Sequence, residues 1–124
     1  MTSTTTTAPE TQECVRLAAK AALDRKAVDL RILDLEPVSD FTDYFMVCSA
    51  TNDRQVQAIA SSIEKVLRPL KVRPMHIEGL KNAQWVLLDY GTFLVHIFDH
   101  ERRKFYGLER LWADAADVTD ELCQ

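Results

Sequence analysis

Glycine and cysteine are scarce in this sequence, and their scarcity excludes several kinds of site. The 3 glycines, at positions 79, 91 and 107, are too far apart for a G-x-G-x-x-G dinucleotide fingerprint or a Walker phosphate loop. The 3 cysteines are odd in number and form no C-x-x-C pair, so we predict neither a disulfide framework nor a zinc site and favour a cytoplasmic location. A G-x-S-x-G nucleophile elbow and an H-E-x-x-H motif are also absent.

Long apolar runs and an early cluster of basic residues are absent as well. No apolar run approaches the roughly 20 residues that cross a bilayer, so we expect no membrane span. Residues 1–13 contain no Lys or Arg, which argues against a secretory signal and against an arginine-rich transit peptide. We therefore predict a disordered leader over residues 1–12, one folded domain over 13–115 and an acidic tail over 116–124.

The net charge of −4 bears on the kind of partner. A free-standing nucleic-acid binder normally carries an excess of positive charge over its working face, so we expect any contact with rRNA to be secondary. Basic partners are more natural, and ribosomal and DNA-packaging proteins are the abundant ones. The cluster Arg102, Arg103 and Lys104 could contact phosphate, but a solvated surface is its simpler interpretation.

Two long segments have the periodicity of amphipathic helices. The first is predicted over residues 13–26. The second follows Asn52, which suits a helix N-cap and has Gln55 three positions later as in a capping box. Pro69 stops this helix, and its apolar stripe consists of Val56, Ile59, Ala60, Ile63, Val66 and Leu67. A third, short helix is expected around Leu108, Leu111 and Trp112.

Strands account for most of the remaining apolar residues. They are predicted over residues 28–35, 41–50 and 74–78, and a β-hairpin follows at 85–98. The resulting order is α-β-β-α-β-β-β-α. Helices and strands mixed in this way predict an α/β or α+β fold, with a single mixed β-sheet of about five strands flanked by helices.

The hairpin is the most informative part of the sequence. Two apolar runs flank Gly91-Thr92, the pattern of a two-residue turn with glycine at its first central position. This turn sets a register in which one face, the core face, is apolar or aromatic throughout and carries Val86, Leu88, Tyr90, Phe93, Val95 and Ile97. The opposite side, the mixed face, carries Trp85, Leu87, Asp89, Leu94, His96 and Phe98.

The mixed face has two interpretations. It combines large aromatic residues with an imidazole and a carboxylate, a composition typical of recognition surfaces, and the carboxylate of Asp89 would attract a basic partner. It could equally be covered by the chain's own helices with its polar groups satisfied. Two long helices cover one sheet face well but not two. We therefore expect part of the mixed face to stay open and predict that its six residues bind a partner.

Two other groups of polar residues offer chemistry that we do not favour. His96, Asp99 and His100 have metal-ligand side chains, but in a strand the first two face opposite sides and the two histidines lie roughly 13 Å apart. Asp40 and Asp43 could hold Mg²⁺ for phosphoryl transfer, although a turn cap and an ordinary hydrogen-bonding role are simpler. We predict no catalytic residue, no metal and no cofactor.

Three segments together resemble the ribosomal silencing factor, or Iojap, family. They are DFTDYFMVCSATNDRQVQAIA at 40–60, HIEGLKNAQWVLLDYGTFLVHIF at 76–98 and RRKFYGLERLWADA at 102–115. The match runs in unbroken order from about residue 13 to residue 115, so the combined pattern is highly specific although each piece alone would be weak. This chain has Ala50 where the family commonly has glycine, and Thr92 where it commonly has an acidic residue.

The resemblance carries several expectations. It implies a fold similar to nucleotidyltransferase domains without their catalytic signature, and no enzymatic activity. It implies binding to the large ribosomal subunit through ribosomal protein number fourteen of that subunit, which prevents the small subunit from docking and represses translation. It permits a homodimer that uses the mixed face as a resting state. The alternative is a Mg²⁺-dependent nucleotidyl- or phosphoryl-transfer enzyme that uses Asp40 and Asp43.

Overall fold

The computed structural model describes residues 10–101 and 115–123. The elements, in chain order, are α1 (Thr11–Asp24), β1 (Val28–Asp34), β2 (Tyr44–Ala50), α2 (Asp53–Leu67), β3 (His76–Glu78), β4 (Trp85–Asp89), β5 (Phe93–Asp99), β6 (Ala116–Asp117) and α3 (Thr119–Leu122). None of the helices in these two ranges is long and apolar enough to span a membrane. The helix predicted around Leu108, Leu111 and Trp112 and the basic cluster at 102–104 lie outside the described residues.

One mixed sheet of six strands organises the fold, in the order β3-β4-β5-β2-β1-β6. Neighbouring strands are antiparallel except β2 and β5, which run parallel. The predicted α+β class is confirmed, with one strand more than expected. The sixth strand pairs with Leu33 and Asp34 of β1 and lies in the segment predicted as an acidic tail. The likeness to nucleotidyltransferase domains stays a prediction.

The two long helices pack on the core face of the sheet. Small side chains of α1, among them Ala18, Ala19 and Ala22, are fully buried there. Their small size allows the helix to approach its neighbours closely. The predicted stripe of α2 is confirmed, because its buried residues are Val56, Ile59, Ala60, Ile63 and Leu67. Val66, which was predicted to belong to this stripe, is instead 38% exposed.

Both ends of α2 follow from its sequence. Asn52 Oδ1 accepts a hydrogen bond from the Gln55 backbone N–H at 2.8 Å, which confirms the predicted N-cap. The Gln55 side chain accepts the backbone N–H of Thr51 rather than that of Asn52, so the return bond of the capping box is shifted by one residue. The helix ends at Leu67, and a 3₁₀ turn that contains Pro69 follows it.

Several predicted boundaries were wrong by one to three residues. Helix α1 occupies residues 11–24 rather than 13–26, and β1 ends one residue early. Strand β2 begins at Tyr44 rather than at residue 41, because the Ser39 hydroxyl accepts the backbone N–H of Phe41 and holds that segment in a turn. Strand β3 begins at residue 76 rather than 74.

The hairpin has the predicted register. Strands β4 and β5 pair Trp85 with Phe98 at one end and Asp89 with Leu94 at the other. Gly91 has a φ of +84°, a conformation that glycine adopts without the steric conflict of an L side chain. In this register the core face packs against α1 and α2, and the mixed face lies on the opposite side of the sheet.

Candidate functional site

The mixed face divides into a buried centre and a half-buried rim. His96 is 7% exposed and Phe98 is 1% exposed, so the expectation of an open face is corrected at these two positions. The rim keeps accessible surface and consists of Trp85, Leu87, Asp89 and Leu94. The centre is buried because a second apolar cluster lies on this side of the sheet, formed by Leu33, Leu35, Phe45, Val47 and Phe98 with Trp85 and Ala115 packed against it.

Trp85 is held in place by a hydrogen bond and by ring stacking. Its indole N–H donates to His96 Nδ1 at 2.9 Å, and its ring stacks on Phe98 with a centroid separation of 5.3 Å. The His96 ring in turn stacks on Phe45 at 4.5 Å. The four aromatic rings thus form a continuous layer, with the indole at its rim and the imidazole at its centre.

The protonation state of His96 is fixed by its burial. Loss of solvation lowers the pKa of His96 to about 4, so the imidazole is neutral at pH 7. Only a neutral imidazole can leave Nδ1 unprotonated to accept the indole N–H of Trp85, and its proton then lies on Nε2. His96 therefore orients Trp85 from beneath the surface.

Asp89 has a structural role at the tip of the hairpin. Its Oδ1 accepts the backbone N–H of Gly91 at 2.8 Å, which closes the turn between the two strands. Asp89 is also the cross-strand neighbour of His76 in β3 and of Leu94 in β5. The predicted attraction of this carboxylate to a basic partner would act in addition to this role.

Gly79, which the sequence reasoning missed, fixes the backbone where β4 begins. It has a φ of +86°, and a Cβ added there would fall on the carbonyl oxygen of Trp85. On the other side of the same segment, the backbone N–H of Asp99 donates to the carbonyl oxygen of Gln84 at 2.9 Å. Trp85 is therefore anchored through its main chain as well as its ring. A glycine directly after a predicted strand was the available signal.

Asp40 and Asp43 lie in the loop that precedes β2. Asp40 is exposed and Asp43 is half-buried. The main chain of Asp43 is used for packing, since its N–H donates to the carbonyl oxygen of Thr92 at 2.8 Å and its carbonyl oxygen accepts the N–H of Leu35. Both main-chain bonds serve to hold this loop against the hairpin tip and against the end of β1.

The histidines and the carboxylate near the end of β5 have separate roles. His96 accepts from Trp85, whereas Asp99 Oδ1 accepts the backbone N–H of Glu101 at 3.0 Å. His100 is exposed. Within residues 10–101 and 115–123, no group of three or more His, Cys, Asp or Glu side chains is arranged to hold a metal ion.

Comparisons with known proteins identify related chains. A family model described as "Ribosomal silencing factor during starvation" matches residues 8–124. Ribosomal silencing factor RsfS of Bacillus subtilis is 41% identical over 101 residues, which cover 82% of this chain and 86% of that protein. The protein of the same name from Halalkalibacterium halodurans is 38% identical over 107 residues, which cover 86% of this chain and 92% of that protein.

The fold is also similar to that of a solved structure. The crystal structure of a Chromobacterium violaceum protein superposes with a TM-score of 0.82 at 32% sequence identity. The similarity covers 85% of this chain and 88% of that one, so it extends over most of the fold rather than a local motif.

Proposed function

The chain belongs to the ribosomal silencing factor family, and we propose that it binds ribosomal protein number fourteen of the large ribosomal subunit and blocks joining of the small subunit. Members of this family are not enzymes, which confirms the prediction of no enzymatic activity. The alternative of a Mg²⁺-dependent transferase that uses Asp40 and Asp43 is therefore set aside.

The observation that supports this surface is the orientation of Trp85. A large aromatic side chain that keeps accessible surface is fixed by His96 and Phe98 before any partner arrives. Because the ring is already ordered, little conformational entropy remains to be lost on binding. Tryptophan is also among the residues enriched in interface hot spots. The half-buried Leu87 and Leu94 provide apolar surface beside it.

Occlusion requires no chemistry. A specific interface of standard size covers about 800 Å² on each partner, which is within reach of a 14.1 kDa chain. A body of this size, bound where the two subunits meet, excludes the small subunit as long as its complex outlasts the encounter. Repression of translation then follows from the lower concentration of joined ribosomes.

A charge placed on the rim tests the proposed surface. Leu94→Lys would repel a basic partner and would bury a desolvated charge in the interface. We therefore expect affinity for large subunits to fall about 30-fold or more. Leu23→Lys is the matched control, since Leu23 is 45% exposed on α1, away from the mixed face. The measurement is co-sedimentation with purified large subunits, together with a subunit-joining assay.

The two variants give opposite expectations. The parent chain and Leu23→Lys should both lower the yield of joined ribosomes, whereas folded Leu94→Lys should not. Equal inhibition by all three proteins would refute the mixed face as the docking surface.

A homodimer through this face would compete with the ribosomal partner, so the mass of the parent and of Leu94→Lys is measured across a range of concentrations. The bacterial relatives support the predicted cytoplasmic location.

A further inference from the structure

A basic surface lies at the end of α2 and in the segment that follows it. Residues 65–77 contain four cationic side chains and no acidic one, in a chain whose net charge is −4. All four side chains are exposed; they belong to Lys65, Arg68, Lys71 and Arg73. The ion pairs found within residues 10–101 and 115–123 join Arg16 to Glu13 and Arg31 to Asp117, so none of these four charges is neutralised by a salt bridge there.

The two arginines among these four cations border a concave site. Arg68 and Arg73 line a hollow of about 330 Å³ together with Glu64, Val72 and Pro74. The backbone around it is restricted, because Pro69 and Pro74 have fixed φ angles and the Lys71 N–H is bonded to the carbonyl oxygen of Arg68 at 2.8 Å. A guanidinium presents several N–H donors in a planar fork that matches a phosphate group.

The basic surface adjoins the tip of the hairpin. The backbone N–H of Met75 donates to the carbonyl oxygen of Asp89 at 2.6 Å. The Met75 sulfur also lies 3.0 Å from the position that a Cβ at Gly91 would occupy. The hollow lies on the α2 side of the sheet, since Val72 packs against the core cluster, and the segment at Met75 connects it around the sheet edge to the rim of the mixed face at Asp89.

We propose that this surface, formed by Lys65, Arg68, Lys71 and Arg73, binds the phosphate backbone of ribosomal RNA next to the protein that the mixed face contacts. The inference rests on the proposed function, because the surface of a large subunit around a docked ribosomal protein is made largely of RNA. It assigns the two surfaces different tasks: the mixed face selects the protein, and the basic surface adds affinity that does not depend on sequence.

Charge complementarity favours RNA over an acidic protein face. Four unpaired cations within nine residues suit a polymer with a regular row of phosphates, and phosphate contacts of this kind make binding strongly dependent on salt. The acidic excess elsewhere in the chain disfavours general attachment to RNA. Binding should therefore require the mixed face and the basic surface together.

The test compares two double variants with the same change in charge. Arg68→Gln/Arg73→Gln removes the pair at the hollow. Arg25→Gln/Arg54→Gln is the control, because both arginines are exposed near the start of α2, about 20 Å away along the helix. Each full-length protein is titrated into purified large subunits at several salt concentrations, and separately into isolated ribosomal protein fourteen, which contains no RNA.

We expect Arg68→Gln/Arg73→Gln to weaken binding to large subunits about tenfold at 0.1 M salt, and to reduce the slope of log K against log salt by about 1 to 2. Binding to the isolated protein should be unchanged, and the control should lose less than about twofold in both assays. Equal losses of affinity for the two double variants would indicate that only the net charge of the protein affects binding. Equal losses on the subunit and on the isolated protein would indicate an acidic protein face. Either result, or no loss at all, overturns the inference.

Leu94→Lys separates this inference from the proposed function. If the mixed face is the docking surface, Leu94→Lys weakens binding both to subunits and to the isolated protein. Should Leu94→Lys bind subunits like the parent while Arg68→Gln/Arg73→Gln does not, the proposed docking surface fails and the RNA contact stands. If instead Leu94→Lys loses binding to subunits while Arg68→Gln/Arg73→Gln binds them like the parent, the RNA contact is refuted and the proposed function stands. Circular dichroism of each variant checks that it is folded.

Discussion

The neutral state of His96 predicts how stability depends on pH. The unfolded chain exposes this imidazole, which then has a pKa of 6.5, whereas burial lowers the pKa in the folded protein to about 4. The unfolded state therefore binds the proton more tightly. The stability associated with neutral His96 is fully present above about pH 6.5 and is lost as the pH falls toward 4. Each pH unit in this window contributes about 1.4 kcal/mol, so the total loss is about 3 kcal/mol.

His96→Asn isolates this contribution. The asparagine Oδ1 can take the place of Nδ1 as the acceptor for Trp85, but it does not titrate. Urea unfolding of both proteins between pH 7.5 and pH 4 gives the free energy of unfolding at each pH. We expect the advantage of the parent over His96→Asn to shrink by about 3 kcal/mol across this range, because all other titrating groups are common to both. Parallel curves, within about 0.5 kcal/mol, would refute the assignment of a buried neutral His96.

Two further substitutions test contacts that hold the candidate site and the end of the chain. Gly79→Ala places a Cβ on the carbonyl oxygen of Trp85 at a positive φ, and we expect it to lower the free energy of unfolding by about 2 kcal/mol or more; Gly91→Ala, which meets only the flexible end of Met75, should lose less in the same urea titration. Thr119→Val removes the hydroxyl that accepts the buried N–H of Ile32 at 2.8 Å, at a loss of about 1 to 3 kcal/mol, whereas Thr119→Ser should retain stability in thermal unfolding; equal melting temperatures for the two would contradict this role.

The hairpin could be predicted from sequence because each level of its structure specifies the same arrangement. The period-2 pattern defines two faces, and Gly91-Thr92 fixes the turn, so a slip of one residue would move the core-face side chains of a strand to the mixed face. The pairing of Trp85 with Phe98 follows from that register and is confirmed. The N-cap of α2 at Asn52 was predictable for the same reason, since it depends on residues close in sequence.

Features that depend on distant residues could not be predicted in this way. Strand β6 is two residues long and has no apolar pattern; its position depends on pairing with β1 and on the bond between Thr119 Oγ1 and the Ile32 N–H, 87 residues apart in sequence. The parallel pairing of β2 with β5 is likewise invisible in their apolar patterns, because both strands are buried nearly throughout.

The role of His96 shows where pattern and geometry differ. The register places His96 beside Leu87 and diagonal to both Asp89 and Trp85. In the structure Asp89 closes the turn at Gly91, so the diagonal partner of His96 is the indole of Trp85. A buried, uncharged acceptor orients a tryptophan at lower desolvation cost than a charged pair would, because neither group has to lose the hydration shell of an ion. The polarity of the mixed face is thus largely used within the fold, and the surface left for a partner is mainly aromatic and aliphatic.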